Sequence, residues 1–190
     1  MEDLSTPGAA FEAIFRNLTA HIHTCTVAEV VSYNNLLNTA TVQPCIKRLL
    51  KAEQNALQLP VFEDVPVVQT GGNGWIQTHG LAKGDYVVVL FAERSIANWL
   101  MMGGIQDPQD TRRFDMSDAI AIPLVTPMPT IATIIPPIDA GAMVIRNTTG
   151  TISIACSTSG IDITTTVGTF NMDATTGTVT INGNLEVLAV

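Results

Sequence analysis

Few residues of this chain could do chemistry, and their spacing fits no common catalytic or metal motif. The chain has three cysteines, an odd number, and their spacing is not that of a metal site: Cys25, Cys45 and Cys156. Cys25 and Cys45 could face each other across a predicted hairpin, but reduced and buried thiols are the favoured interpretation. His21 and His23 lie two residues apart, and such residues do not share a helix face. The sequence therefore predicts no metal site, no cofactor and no catalytic residues in this chain.

Two further features, a possible acid–base pair and a glycine-rich segment, have simple structural interpretations. His79 with Glu93 or Asp85 could form an acid–base pair, yet any protein of this size offers such pairs. The segment 71–74, GGNG, lacks the lysine and the helix of a phosphate loop, so we interpret it as a hairpin turn.

A charged cluster lies near the end of the first hundred or so residues. Arg112 and Arg113 are close in sequence to Asp110, Asp115 and Asp118. We interpret them as a solvated salt-bridge cluster near a loop, with a partner contact as the alternative.

Composition excludes several classes of protein. The chain has 190 residues, is 46% hydrophobic and 14% charged, and carries a net charge of −8 with nine basic residues. The sequence has no basic stripe of the kind that indicates nucleic-acid binding. It also has no apolar run as long as the roughly 18 residues of a membrane span. The N-terminus, MEDLSTPGAAFEAIF, is acidic, unlike a secretory signal. We expect a protein made in a cytoplasm, with no signal peptide and no transmembrane segment.

The C-terminal segment repeats with a period of nine. From Gly141 the rows read GAMVIRNTT, GTISIACST, SGIDITTTV, GTFNMDATT and GTVTINGNL, then EVLAV. A fixed period indicates a repeat architecture, and apolar residues two apart among Thr and Ser predict short strands with one buried face. Because nine is odd, an unbroken strand would alternate its faces, so each repeat needs a corner or bulge, which the glycine column permits. This predicts a β-helix or β-prism.

Two apolar columns predict the core of that prism. They hold Met143, Ile145, Ile152, Ile154, Ile161, Ile163, Phe170, Met172, Val179, Ile181, Leu188 and Val190. Two core residues per row leave one chain little area to bury, so we predict an intertwined homotrimer around one axis. A calcium-binding nonapeptide repeat needs an Asp in every row, whereas Asp162 and Asp173 fall in different columns. A plain antiparallel sandwich is the other alternative.

The rest of the chain predicts an arm, a barrel and a connector. Residues 1–24 form the arm, whose amphipathic helix is capped by Thr6 and begins at Pro7. Its apolar stripe is Phe11, Ile14, Phe15, Leu18 and Ile22. Residues 123–140 contain five prolines and predict a semi-rigid connector to the shaft at 141–190.

Residues 25–122 predict a small closed all-β barrel of OB-fold type. A long hairpin should run from Cys25 to Leu50 with its turn at 34–38. YVVVLFAE predicts a strand buried on both faces, and SIANWLMM a short helix that ends at Gly103 and Gly104.

Several of these segments resemble a known family. TATVQPCIKRLL, LPVFEDVPVV, GDYVVVLFAERSIANWL and RRFDMSDAIAIP, followed by the repeat, resemble the central spikes of contractile phage tails, of the baseplate assembly protein V type. The resemblance covers residues 25–125 by motif and 139–190 by architecture. It implies a non-enzymatic homotrimer in the tail baseplate of the virion. The OB-fold domains would sit under the tail hub protein, and the β-helix needle would pierce the host outer envelope on sheath contraction, with transient contact to the outer membrane.

The chain departs from this family at its end. Family spikes commonly finish in a His-x-His pair, three copies of which bind an iron ion at the apex. This chain ends NLEVLAV, with no histidine after His79. Nothing there replaces six imidazoles, so the resemblance implies a tip beyond Val190 or a separate capping protein.

Other functions stay open. A spike of a related contractile injection or secretion system would share the same plan. An OB-fold module that binds oligosaccharide or oligonucleotide on a β-stalk is a second alternative, although Tyr33, Tyr86, Trp75 and Trp99 are scattered rather than grouped for stacking. A β-helical enzyme acting on polysaccharide would need a carboxylate pair, which the repeats lack.

Overall fold

The computed structural model describes residues 6–19, 22–49, 56–123, 126–129 and 141–183. The structure is mostly β and divides into two compact units, Met1–Val125 and Thr126–Val190. Most of the predicted connector, 123–140, lies outside the described residues, as do His21, Leu188 and Val190.

The first described element is helix α1 (Pro7–Thr19). The predicted cap is confirmed, because the Thr6 hydroxyl accepts a hydrogen bond from the Ala9 N–H at 3.2 Å. The apolar stripe is also present, but Ile22 lies beyond the end of the helix. The four stripe residues within α1, Phe11, Ile14, Phe15 and Leu18, are 59–72% exposed.

The strands of the first unit are short. They are β1 (Cys25–Asn34), β2 (Thr39–Pro44), β3 (Arg48–Leu49), β4 (Ala56–Leu57), β5 (Phe62–Pro66), β6 (Thr70–Gly72), β7 (Trp75–Gln77), β8 (Tyr86–Phe91) and β9 (Ala119–Pro123). Five of them form one antiparallel sheet in the order β5-β2-β1-β8-β9. A parallel bridge between Val67 and Ala121 then links the two ends of this sheet. The sheet is therefore curled into a half-barrel.

Register shifts and an apolar interior explain the curl. The pairing of β1 with β2 shifts between Val30 and Ser32, and that of β2 with β5 shifts between Ala40 and Val42. Such bulges bend a strand and increase its twist. The concave side is filled by a cluster of small and β-branched residues with two phenylalanines: Ala28, Val30, Ala40, Val42, Phe62, Val65, Val67, Val87, Val89, Phe91, Ala119 and Ala121.

Two predicted strands differ from the observed ones. The strand predicted to reach Leu50 ends at Pro44, which supplies no N–H to extend the ladder. β8 was expected to be buried on both faces, but only its inner face is fully covered. Val87 and Val89 are 0% exposed, whereas Leu90, on the other face, is 39% exposed.

Two local predictions in this unit are confirmed. The GGNG segment contains the turn of hairpin β6–β7: Gly71 and Gly72 end β6, and the turn residues Asn73 and Gly74 both have positive φ, 50° and 83°. Helix α2 (Ala97–Met102) stops at Gly103, whose φ is 66°.

The second unit is a five-stranded antiparallel meander. Its strands are β10 (Ala142–Arg146), β11 (Ser153–Ser157), β12 (Gly160–Thr165), β13 (Gly168–Asp173) and β14 (Val179–Asn182). Each strand pairs with the next one along the chain. The two shortest turns contain two residues each, because Ser157 pairs with Gly160 and Thr165 pairs with Gly168.

The corner expected in each nine-residue repeat is a chain reversal within this sheet. In an antiparallel pair, directly opposed residues project on the same face whatever the length of the turn. An odd period therefore keeps its apolar residues together without winding the chain around an axis. The described residues of one chain make a sheet, and the intertwined three-chain helix stays a prediction.

Candidate functional site

One face of the meander carries two continuous rows of apolar side chains. Cross-strand pairing joins Ile145, Ile154, Ile163, Phe170 and Ile181 in one row. The other row is Met143, Cys156, Ile161, Met172 and Val179. We call these ten residues the apolar face.

The apolar face is open to solvent in the single chain. Met143 is 65% exposed, Ile145 is 54% exposed, and even Ile163 in the central strand is 37% exposed. Full burial of one such side chain contributes about 1.5–3 kcal/mol, so ten of them form a strong driving force for association. A contiguous exposed apolar surface of this kind marks an interaction site.

The opposite face is mostly polar, with Ala142, Val144 and Ala155 as apolar members. Asp162 and Asn171 are directly paired on it, and the Asn171 amide donates a hydrogen bond to the Asp162 carboxylate. Arg146, Thr169 and Asn182 project on the same side. Hence the meander has one side suited to water and one suited to a partner.

Most of the predicted core residues lie on the apolar face, with two qualifications. Ile152 lies before β11 in the turn closed by Asn147, whose N–H donates to the Ile152 carbonyl at 3.0 Å. Cys156, which the column pattern left out, occupies a place in the row instead. The two-residue turns could have signalled this exchange, because they determine which residues pair across the strands. Whether the face is the core of a trimer stays a prediction.

Two glycines allow the strands of this unit to approach closely. A Cβ on Gly160 would collide with the Met172 carbonyl, and φ at Gly160 is +144°. A Cβ on Gly168 would lie 2.6 Å from the Asn182 carbonyl oxygen. The glycine column is thus required by backbone contacts as well as by turns.

The charged cluster of the first unit is only partly solvated, because Asp118 is buried whereas the side chain of its partner Arg112 is 32% exposed. The Arg112 guanidinium donates to both carboxylate oxygens of Asp118, at 2.7 and 3.1 Å, and the Asp118 side chain is only 2% exposed. Arg112 also donates to Asp110 at 2.9 Å and to the Ser95 hydroxyl at 2.9 Å. Arg113 is separate and lies 3.5 Å from Glu93 at the surface.

The sign of the Asp118 pKa shift follows from two opposing causes. Burial raises the pKa of the carboxyl, whereas the hydrogen bond from Arg112, the Ile96 N–H and the charge of Arg112 lower it. The second group prevails, so the pKa of Asp118 lies below its ordinary value.

This ion pair holds the segment that carries α2. Ser95 and Ile96 precede α2, and Asp110 and Arg112 follow it. Ile96 and Arg112 donate hydrogen bonds to Asp118, and Arg112 also donates to Ser95 and Asp110. The exposed side chains of α2 are Trp99, Leu100, Met101 and Met102, between 48% and 86% exposed. The sequence did not predict that these charges hold the segment carrying α2. The burial of Asp118 depends on contacts with residues distant in sequence, so no local pattern indicates it.

The remaining candidate residues have structural contacts. The His79 N–H donates to the Gln69 side chain at 2.8 Å, and the Asp85 carboxylate accepts from the Ala82 N–H at 2.7 Å. The His23 N–H donates to the Phe114 carbonyl, and its ring meets Phe91 edge-on.

The three thiols are free, as expected, but Cys25 and Cys45 are exposed rather than buried. They also do not face each other, because Ala28 pairs with Pro44 and the Cys45 N–H donates to the Val27 carbonyl, two residues along β1 from Cys25. Across the ranges that the structure describes, no three His, Cys, Asp or Glu side chains are grouped as a metal site would require. None of the described helices is long and apolar enough to cross a bilayer.

The comparisons with known proteins identify the first unit. No curated protein sequence matches the chain. The family model described as phage protein Gp138 N-terminal domain matches residues 27–124, which include all of β1 except its first two residues, β2 through β9, and the Arg112–Asp118 pair. This match spans more than half of the 190 residues. The chain therefore belongs to the family of phage proteins defined by the Gp138 N-terminal domain.

Proposed function

We propose that this chain is the structural, non-enzymatic central spike of a phage tail baseplate, assembled as a homotrimer. The observation that carries the proposal is the apolar face, ten side chains in two rows, eight of which one chain leaves exposed to water. Three copies that turn this face toward a common axis would cover one another without a second kind of partner. Each copy would keep its polar face outward.

The physical properties of such a needle suit puncture. Backbone ladders across the shaft resist bending, and an apolar axis excludes water. Mostly uncharged Thr and Asn side chains on the outer surface would limit adhesion during passage through the host outer envelope. The needle would act by stiffness on sheath contraction, and its contact with the outer membrane would be transient.

We further propose that the first unit is an OB-fold barrel that joins the needle to the tail hub protein. Its five-stranded order, β5-β2-β1-β8-β9 with a bridge from β9 to the residue after β5, supports a small Greek-key barrel of this type. The spike would be made in the host cytoplasm and located at the baseplate tip of the virion. A separate tip protein would cap the needle.

The native mass of the protein in solution tests the assembly. We expect about three times the 20.2 kDa chain mass. Ile163→Asp places a charge at the centre of the apolar face and should yield monomer, because an unpaired buried carboxylate costs several kcal/mol. Thr169→Asp is the matched control, since Thr169 is exposed on the polar face of the neighbouring strand. It should remain trimeric.

The outcomes are distinct. Circular dichroism of both variants would verify that the strands persist, so that loss of the trimer is not loss of the fold. A monomeric wild type would reject the trimeric spike and favour a ligand-binding barrel on a stalk. Labelled antibody on intact virions should mark the baseplate tip, and labelling of the capsid would contradict the proposed location.

A further inference from the structure

We infer that each copy contributes one complete side of the needle, so that the copies meet through side chains and never interleave their strands. This inference rests on the proposed trimer and specifies how its partner copies contact one another. It departs from the intertwined arrangement that the sequence suggested.

The first support is the completeness of the ladder. β11, β12 and β13 each pair with a strand of their own chain on both edges. A strand with both edges paired has no backbone donors or acceptors left for a strand of another copy. Among the described strands of this sheet, β10 and β14 are the two that have a described partner on one edge alone.

The second support is the length of the turns. Ser157 pairs with Gly160, so three Cα–Cα steps separate these residues. Those steps span at most about 11 Å. Placing one strand from each of two other copies between β11 and β12 would separate them by about 14 Å, three strand spacings of roughly 4.8 Å. The turn is too short for that arrangement, and so is the turn from Thr165 to Gly168.

The third support is the hydrogen bonding within these turns. The Thr165 hydroxyl accepts from the Gly168 N–H at 3.1 Å and donates to the Gly168 carbonyl at 3.0 Å. The Ser157 hydroxyl accepts from the Ser159 N–H at 3.1 Å. These bonds stabilise a reversal of the chain at the edge of one sheet. A chain passing to the next side of a prism would break them.

The contact between copies then consists of the apolar face alone. Its ten side chains carry no charge, and no backbone hydrogen bonds join one copy to another. Separation of the copies therefore leaves every strand pair intact. The sides of the needle are therefore folded units that associate, rather than strands that fold only together.

A pair of cysteines on the polar face tests this arrangement. In a background with Cys25→Ser, Cys45→Ser and Cys156→Ala, Ala155→Cys and Asp162→Cys occupy directly paired positions of β11 and β12. Trimers prepared from a mixture of ¹⁵N-labelled and unlabelled chains are oxidised, digested and examined by mass spectrometry and non-reducing gels. We expect a disulfide within one chain, seen as single-chain bands and as linked peptides of uniform labelling.

The control uses the same polar face. Val144→Cys with Asn171→Cys places the cysteines three strands apart, in β10 and β13. At about 14 Å they are too far apart to bond within a chain. This pair should stay reduced. Interchain disulfides at either pair, with mixed labelling, would put strands of different copies side by side and overturn the inference.

Native mass measured on the same variants separates the two hypotheses. A trimer with interchain Ala155→Cys–Asp162→Cys disulfides keeps the proposed function and rejects complete sides. A monomer with intrachain disulfides rejects the trimer and, with it, any contact between copies.

Discussion

At the scale of single residues, Asp118 is the buried charge among the described residues of the first unit. Its carboxylate is almost fully buried, yet both oxygens accept from Arg112, and one also accepts from the Ile96 N–H at 3.0 Å. Both carboxylate oxygens thus have a partner. Removing Arg112 would leave the Asp118 carboxylate buried and uncompensated, which is far more costly than losing a surface pair.

Arg112→Met should therefore destabilise the first unit by about 3–5 kcal/mol, because it leaves the Asp118 carboxylate without its cation. Urea denaturation followed by Trp fluorescence measures this change. Arg113→Met is the matched control, since Arg113 is half-exposed and 3.5 Å from an exposed Glu93. It should cost less than about 1 kcal/mol. Equal effects of the two substitutions would contradict a special role for the Arg112–Asp118 pair.

The same pair predicts a dependence on pH. Because the pKa of Asp118 is lowered in the folded state, its contribution to stability is present above the unfolded pKa of about 3.9. That contribution should disappear as the pH falls through the lower, folded pKa. The stability difference between wild type and Asp118→Asn should be constant from pH 5 to 7 and shrink below about pH 4. A difference that grew in acid would have the wrong sign.

At the scale of elements, the meander depends on strand starts that only glycine can occupy. Gly160 opens β12 with φ of +144° and faces the Met172 carbonyl. Gly177 also has a positive φ, 69°, but open space around it. The two positions separate backbone strain from steric collision.

Gly160→Ala should unfold or displace β12 and β13, because both strain and collision oppose the added Cβ. Gly177→Ala should cost only about 1–2 kcal/mol, the strain of a left-handed residue alone. Hydrogen exchange of the β12 and β13 amides in the full chain measures the difference. Equal protection in the two variants would mean that β12 and β13 do not approach as closely as the structure indicates.

At the scale of the whole molecule, the proposed assembly depends on apolar contact rather than on charge. The apolar face carries no ionisable group apart from the Cys156 thiol, and the polar face with Arg146 and Asp162 points away from it. Salt screens charge interactions but does not weaken hydrophobic burial.

The fraction of trimer should accordingly be unchanged or higher in 1 M NaCl than in 0.05 M NaCl. Sedimentation at matched protein concentration measures it, with the Ile163→Asp variant as the monomer reference. Dissociation at high salt would indicate that ion pairs hold the copies together, contrary to the proposed interface.

The sequence by itself determined the features that depend on neighbouring residues. Thr6 and Pro7 specify the start of α1, Asn73–Gly74 specifies a hairpin turn, and apolar residues two apart specify strands with one apolar face. These signals are local because backbone conformation and side-chain direction follow from a few adjacent residues. The alternation in the repeat was accordingly enough to identify nearly all of the apolar face.

Only the tertiary structure decided which strands pair and which charges are buried. The nine-residue period fits both a winding chain and a reversing one, and the pairing of Ser157 with Gly160 selects reversal. That pairing puts Cys156 in the row and leaves Ile152 in a turn. Likewise Asp118 is buried because β9 and the segment before α2 enclose it, and Ile96 is 22 residues distant in sequence. Such contacts arise between distant parts of the chain, so no short stretch of sequence contains them.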